Sequence, residues 1–148
     1  MEIHAYSDGG CSGNPGPGGW AYVLVLDGTQ KTMSGGAAET TNNRMELCAV
    51  IRALEDIGGH DQWRTASIKF HTDSQYVQKG ITQWVANWER NGWLTASKKP
   101  VKNQDLWKTL KTMASGLKVE WRWVRGHAGD PLNELCDQMV QQEIRGQV

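Results

Sequence analysis

The chain has 148 residues, 39% of them apolar and 22% charged, a balance that suits one packed core and excludes a disordered tail. No apolar run approaches the roughly 20 residues of a membrane-spanning helix, and Met1-Glu2-Ile3-His4 lacks the basic stretch and apolar core of a signal peptide. The net charge of zero hides an asymmetry: residues 79–125 carry an excess of +7, and the remainder carries −7. A basic region on a neutral chain points to an anionic partner at one place, or to a solvated face. Cys11, Cys48 and Cys136 are widely spaced and odd in number, which fits neither a disulfide framework nor a zinc knuckle. Free thiols in a reducing cytosol are the expectation.

Glu2–Asp8 alternates with period two and reads as a strand that stops at Gly9-Gly10. Gly13-Asn14-Pro15-Gly16-Pro17-Gly18-Gly19 fits neither helix nor regular strand. Trp20–Leu26 predicts a second strand, Asp27-Gly28 a hairpin turn, and Lys31–Gly36 a third strand. Leu47, Ile51 and Leu54 recur at helical spacing within Asn42–Ile57. Ser67–Asp73 is a fourth strand, and Ser74 to about Trp88 is helical with a break expected at Gly80. Asn91–Lys102 is a basic loop, and Gln104–Ala114 a further helix. Lys118–Val124 sets Val119, Trp121 and Trp123 against Glu120 and Arg122, the alternation of a fifth strand. A last helix starts at Pro131 behind the cap candidate Asp130. The order βββ-α-β-α-α-α-β-α predicts an α/β protein with a mixed five-stranded sheet and a single domain over 1–148.

Four carboxylates stand where such folds place function. Asp8 and Asp73 end the first and fourth strands, Glu46 lies in the first turn of the first long helix, and Asp137 in the second turn of the last. Each has a plain alternative: a turn residue at Asp8, a helix start at Asp73-Ser74, a capping pair Asn43/Glu46, helix decoration at Asp137. Were the four to converge, repulsion would raise their pKa values until a hard divalent cation resolved it. Two such ions about 3.5–4 Å apart can clamp the attacking and leaving oxygens of a phosphodiester.

Asp8-Gly9-Gly10-Cys11-Ser12-Gly13-Asn14-Pro15-Gly16-Pro17-Gly18-Gly19 resembles the first-strand signature of bacterial ribonuclease HI. Thr40-Thr41-Asn42-Asn43-Arg44-Met45-Glu46-Leu47, Thr72-Asp73-Ser74-Gln75-Tyr76-Val77 and Asn133-Glu134-Leu135-Cys136-Asp137 resemble its later acidic motifs. Gly80-Ile81-Thr82-Gln83-Trp84 and Lys98-Lys99-Pro100-Val101-Lys102-Asn103 are similar to its basic protrusion, and Arg125-Gly126-His127-Ala128-Gly129 to its final loop. The resemblance runs in order along nearly the whole chain.

It implies a ribonuclease H-like fold, three antiparallel strands then parallel ones with helices on both faces. It implies an endonuclease that cuts the RNA strand of an RNA–DNA hybrid, leaving 3′-hydroxyl and 5′-phosphate ends. Asp8, Glu46, Asp73 and Asp137 match the metal-binding carboxylates for two Mg²⁺ ions, with Mn²⁺ as a substitute. Asp8 would bridge both ions, Asp137 would hold the ion on the water side, and Glu46 and Asp73 the ion on the leaving-group side. His127 matches the catalytic histidine. Asn14, Asn42 and Gln75 match contacts to the RNA side of the minor groove, and Thr41 and Asn103 a pocket for a DNA-strand phosphate. Trp84 matches an aromatic beside the DNA backbone, though core packing would explain Trp84, Trp88 and Trp93 equally. Lys98, Lys99 and Lys102 are the expected phosphate-facing bases. A cytoplasmic monomer with no membrane partner is expected, and Met1 close ahead of Tyr6-Ser7-Asp8 favours a free-standing enzyme over a polyprotein segment. A binding module that had lost catalysis is the rival reading. Two departures stand out. Glu89-Arg90-Asn91-Gly92-Trp93-Leu94 keeps one base where relatives have a denser run, so weaker hybrid affinity is expected. The chain also stops soon after the last helix.

Overall fold

The computed structural model describes residues 1–123 and 130–147. Five strands form one sheet in the order β3-β2-β1-β4-β5. β1 (Glu2–Cys11), β2 (Gly16–Leu26) and β3 (Thr29–Thr40) are antiparallel neighbours, while β4 (Ser67–Thr72) and β5 (Lys118–Trp123) run parallel to β1. Helix α1 (Asn42–Gly58) covers one face, joined by α4 (Gln104–Ser115), and α5 (Pro131–Arg145) covers β1–β3 on the other. The expected mixed sheet with helices on both faces is the observed one.

Each strand divides its side chains between two cores. Ile3 and Ala5 of β1, with Tyr22, Leu24 and Leu26 of β2, meet Leu47, Val50, Leu54 and Ile57 of α1. Ala21 and Val23 of β2 meet Cys136, Val140 and Ile144 of α5. β2 is thus buried on both faces, the condition of a strand between two helical layers. Trp107 and Phe70 are the largest fully buried side chains, each contributing about 1.5–3 kcal/mol through burial.

The structure corrects the sequence reading at three places. β1 does not stop at Asp8 but continues through Gly9, Gly10 and Cys11, paired with Trp20, Gly19 and Gly18. The Gly/Pro-rich segment is therefore partly strand: β2 begins at Gly16 and absorbs its irregularity in a register shift between Gly16 and Gly18. Backbone pairing with β1 and β3 overrides the low strand propensity of glycine here. Gly80 does not break its helix. It opens a π-helical turn, Gly80–Trp84, between α2 (Gln75–Lys79) and α3 (Val85–Arg90). The glycine is required there because a Cβ would lie 1.9 Å from the Trp107 indole.

At the far end of α1 a polar knot ties helix to sheet. Asp56, 13% exposed, accepts from Tyr22 Oη at 2.7 Å and Lys31 Nζ at 2.9 Å, and His60 Nε2 lies 3.1 Å away. Burial alone would raise the Asp56 pKa, but the bonds from Lys31, Tyr22 and His60 hold it below the ordinary carboxyl value of 3.8. A depressed folded-state pKa contributes stability above the unfolded value and loses it as pH falls through the folded one. Asp56→Asn is therefore expected to cost about 1–3 kcal/mol at pH 7. Melting curves of parent and variant should converge as the pH drops below 3.8.

Candidate active site

The four carboxylates reach one end of the sheet by different routes. Side chains alternate along β1, so Ile3, Ala5 and Ser7 are buried against the α1 layer while His4, Tyr6 and Asp8 point to the opposite face. β1 and β4 are in parallel register with Tyr6 opposite His71, and two residues further on the same register sets Asp8 opposite Asp73. Glu46 comes from α1, whose cap is Thr41, with Oγ1 accepting from Arg44 N at 3.2 Å. The expected Asn43/Glu46 capping pair does not form, and Glu46 falls in the second turn rather than the first. Asp137 stands in the second turn of α5, whose cap is Asp130 as expected.

What lets the helices come so close is the absence of side chains at the end of β1. A Cβ on Gly9 would lie 2.3 Å from the Met45 carbonyl carbon and 2.5 Å from Glu46 N, and one on Gly10 would sit 3.7 Å from Val140 Cγ1. α1 thus presses its Glu46 turn directly onto the β1 backbone from one side, and α5 packs from the other.

Electrostatics link the set. Burial pushes the Glu46 pKa up, a hydrogen bond from Ser74 opposes the rise, and the charge of Asp73 adds to it. Burial also raises the Cys136 thiol to about 12, with further lifts from Asp8, Asp130 and Asp73. Asp8 and Asp73 therefore both act on the residue beside Asp137. Like charges hold one another apart, and among the described residues no three His, Cys, Asp or Glu side chains stand close enough together to enclose an ion. The donor set is carboxylate oxygen throughout, which fits a hard divalent cation such as Mg²⁺ and not a soft one. His127 lies outside the described residues.

Ser74 is a site residue that the sequence reading passed over. Its Oγ donates to Glu46 Oε2 at 2.6 Å and accepts from Val77 N at 3.1 Å, capping α2. The signal was present, since Asp73-Ser74 was read as a helix start, but a cap with a second partner is invisible without the fold.

The expected substrate contacts fall into two groups. Asn14 and Asn42 cross-tie the β1–β2 connection to the start of α1: Asn42 N donates to Asn14 Oδ1 at 3.2 Å, and Cys11 N to Asn42 Oδ1 at 2.7 Å. Both side chains are exposed and spend their oxygens on backbone donors, and their Nδ2 groups donate to no described residue. Gln75 is exposed in the first turn of α2. Thr41 and Asn103 are joined through Arg44, which meets Thr41 by its backbone and Asn103 Oδ1 by Nη1 at 3.1 Å. Asp105 grips the same guanidinium at 3.0 and 3.2 Å. Asn103 Nδ2 and Trp107 Nε1 both donate to Tyr76 Oη, at 3.1 and 3.0 Å. Arg44, Tyr76 and Asp105 thus hold the proposed phosphate pocket in shape, and none was singled out from sequence.

Trp84 is half-buried and joins an aromatic series, 5.8 Å from Tyr76 and 5.7 Å from Trp88, which in turn contacts Trp93 and Trp107. Packing and exposure are both satisfied: Tyr76, Trp84 and Trp88 form one wall of a groove whose other wall includes Lys99, Pro100 and Lys102. Lys98, Lys99 and Lys102 are exposed, and none forms an ion pair among the described residues. Lys111 and Arg122, by contrast, are taken up by Glu89 and Glu120. The basic excess is concentrated on the loop beside the groove.

A raised carboxyl pKa implies stability that is full below the ordinary value of 4.5 and lost as pH rises through the folded value. Glu46→Gln keeps an acceptor for Ser74 and removes the buried charge. Its melting temperature in metal-free buffer is expected to exceed the parent's at pH 7, with the gain vanishing below pH 4.5.

Comparison with known proteins agrees along the whole chain. The family model described as RNase H matches residues 1–145. A ribonuclease H of Treponema pallidum is 52% identical, over 98% of this chain and 94% of the relative. One of Phenylobacterium zucineum is 53% identical, over 97% and 90%. The crystal structure of a type 1 ribonuclease H carrying the type 2 active-site motif superimposes with TM-score 0.84 at 34% identity, covering 99% of this chain and 74% of that one. A ribonuclease H1 crystallised with an RNA/DNA hybrid shares the fold at TM-score 0.75 and 23% identity, covering 97% of each chain. From strand order to acidic strand ends, the chain belongs to the ribonuclease H family.

Proposed function

We propose that this protein is an endonuclease that hydrolyses the RNA strand of an RNA–DNA hybrid with two bound Mg²⁺ ions, Mn²⁺ substituting. The products carry 3′-hydroxyl and 5′-phosphate ends. The observation that carries the reading is the meeting of two strand-end carboxylates, Asp8 and Asp73, with a buried Glu46 under a helix that Gly9 admits. Membership in the family supports hybrid cleavage as the activity.

Asp8, Glu46, Asp73 and Asp137 would hold the ions, with Asp8 shared between them. When bound, the ions offset negative charge on the attacking and leaving oxygens of the phosphodiester. Ser74 orients Glu46 by its 2.6 Å bond. His127 is assigned to proton movement at the leaving side. Recognition divides between the strands. The unused amide donors of Asn14 and Asn42, with Gln75, suit ribose 2′-hydroxyls and base edges in the minor groove, the features that distinguish RNA from DNA. The Thr41 hydroxyl, free to donate while its oxygen caps α1, joins the second Nδ2 hydrogen of Asn103 to hold a DNA-strand phosphate. Trp84 packs beside the DNA backbone, and Lys98, Lys99 and Lys102 meet its phosphates. No described helix is long and apolar enough to cross a membrane. We assign the enzyme to the cytoplasm as a monomer.

Two experiments test the reading. Asp8→Asn removes a charge shared by both ions, so cleavage of a defined hybrid in Mg²⁺ should disappear while the fold survives. Cleavage near the parental rate would sink the assignment. Hybrid affinity should fall with salt, each phosphate contact contributing a slope of about 0.9 in log K against log[salt]. Replacing Lys98, Lys99 and Lys102 together by Ala should flatten that slope by up to about 3 and raise KM more than it lowers kcat. Equal slopes for parent and triple variant would place the bound duplex elsewhere.

A further inference from the structure

Helix α5 carries an imbalance one turn long. Asn133 is 2% exposed, on the inward stripe it shares with Cys136, Val140 and Ile144. Its Nδ2 is the sole fully buried side-chain polar atom without a hydrogen-bond partner among the described residues. A buried donor left unpaired costs about 1–3 kcal/mol, and Leu would fill similar volume without that cost. Four residues on stands Asp137, whose carboxylate makes no hydrogen bond or ion pair among the described residues. Residues at this spacing face each other along a helix, and an amide–carboxylate pair there is favourable. The backbone is already fixed for it, because Asp130 Oδ1 accepts from Leu132 N and Asn133 N at 3.0 and 3.4 Å.

A donor without an acceptor and an acceptor without a donor thus lie one turn apart on the element facing Asp8. Repulsion from Asp8 and Asp73 favours rotamers that turn the Asp137 carboxylate outward. A divalent cation reverses that sign and draws it inward. We infer that Asn133 is a positioning residue whose Nδ2 donates to the Asp137 carboxylate when that carboxylate holds a divalent cation. Carboxylates that ligate metals are themselves hydrogen-bonded, and removing such a partner typically lowers metal affinity 10–100-fold. The inference rests on Asp137 being one of the metal-holding carboxylates.

Calorimetric titration of the substrate-free protein with Mn²⁺ tests it without reference to cleavage. Asn133→Leu is expected to bind Mn²⁺ about tenfold more weakly than the parent, while melting in metal-free buffer at or above the parental temperature. If the Leu variant does not fold, Asn133→Ala carries the same titration. Asp137→Asn separates the two layers of the argument. If Asp137→Asn weakens Mn²⁺ binding but a folded Asn133 variant binds as tightly as the parent, the positioning role is overturned and the metal assignment stands. If Asp137→Asn binds Mn²⁺ as the parent does, the assignment of Asp137 falls and takes the inference with it.

Discussion

The site depends on how closely two helices can approach one strand. β1 is the middle strand of the sheet, and its last turn of side chains is missing: Gly9 faces α1 and Gly10 faces α5. An alanine at Gly9 would have to displace the backbone of Met45 and Glu46. That contact fixes where Glu46 stands relative to Asp8. The remaining geometry follows, since β4 pairs with β1 and delivers Asp73, while α5 packs on the opposite face and delivers Asp137. Burial then supplies the chemistry, because carboxylates brought near one another in a partly desolvated place cannot all stay charged cheaply without a cation.

A second constraint separates this acidic end from the basic groove without disconnecting them. Arg44, one helical turn or less from both Thr41 and Glu46, spends its guanidinium on Asp105 and Asn103. Asn103 passes the linkage to Tyr76, and Tyr76 shares its hydroxyl with the buried Trp107. The same Trp107 fills the space at Gly80 and so shapes the π-turn that carries Trp84 into the groove wall. One polar chain thus sets the distance between carboxylates and lysines, which is the distance between the two strands of a duplex that touches both.

Much of this was legible in the sequence, and the exceptions share a cause. Long amphipathic stretches announced themselves: Leu47, Ile51 and Leu54 defined α1, and Val119, Trp121 and Trp123 defined β5 as observed. Asp130 and Pro131 marked the start of α5 by cap chemistry alone. The readings that failed were those where a neighbour decides. Gly16–Gly19 lacks every local mark of a strand, yet β1 and β3 complete its hydrogen bonds on both sides. Gly80 looked like a helix breaker because the indole that demands it lies 27 residues away in the chain. Among the site residues, the carboxylates were legible as motifs, whereas Ser74, Arg44 and Tyr76 act through partners that only the fold brings near.

Ser74 narrows what this position can become. As a helix cap alone, it could be exchanged for Asp, Asn or Thr at little loss. Its hydroxyl, however, must accept from Val77 N and donate to Glu46 in the same geometry. Aspartate would serve the first task and fail the second, adding an anion against a carboxylate already raised by burial. Asparagine has both functions but on separate atoms too far apart to serve them from one point. Only a hydroxyl both accepts and donates through a single oxygen, so the allowed alphabet shrinks to serine and threonine. A helix cap, among the most interchangeable features of a fold, has here become as restricted as the carboxylate it touches.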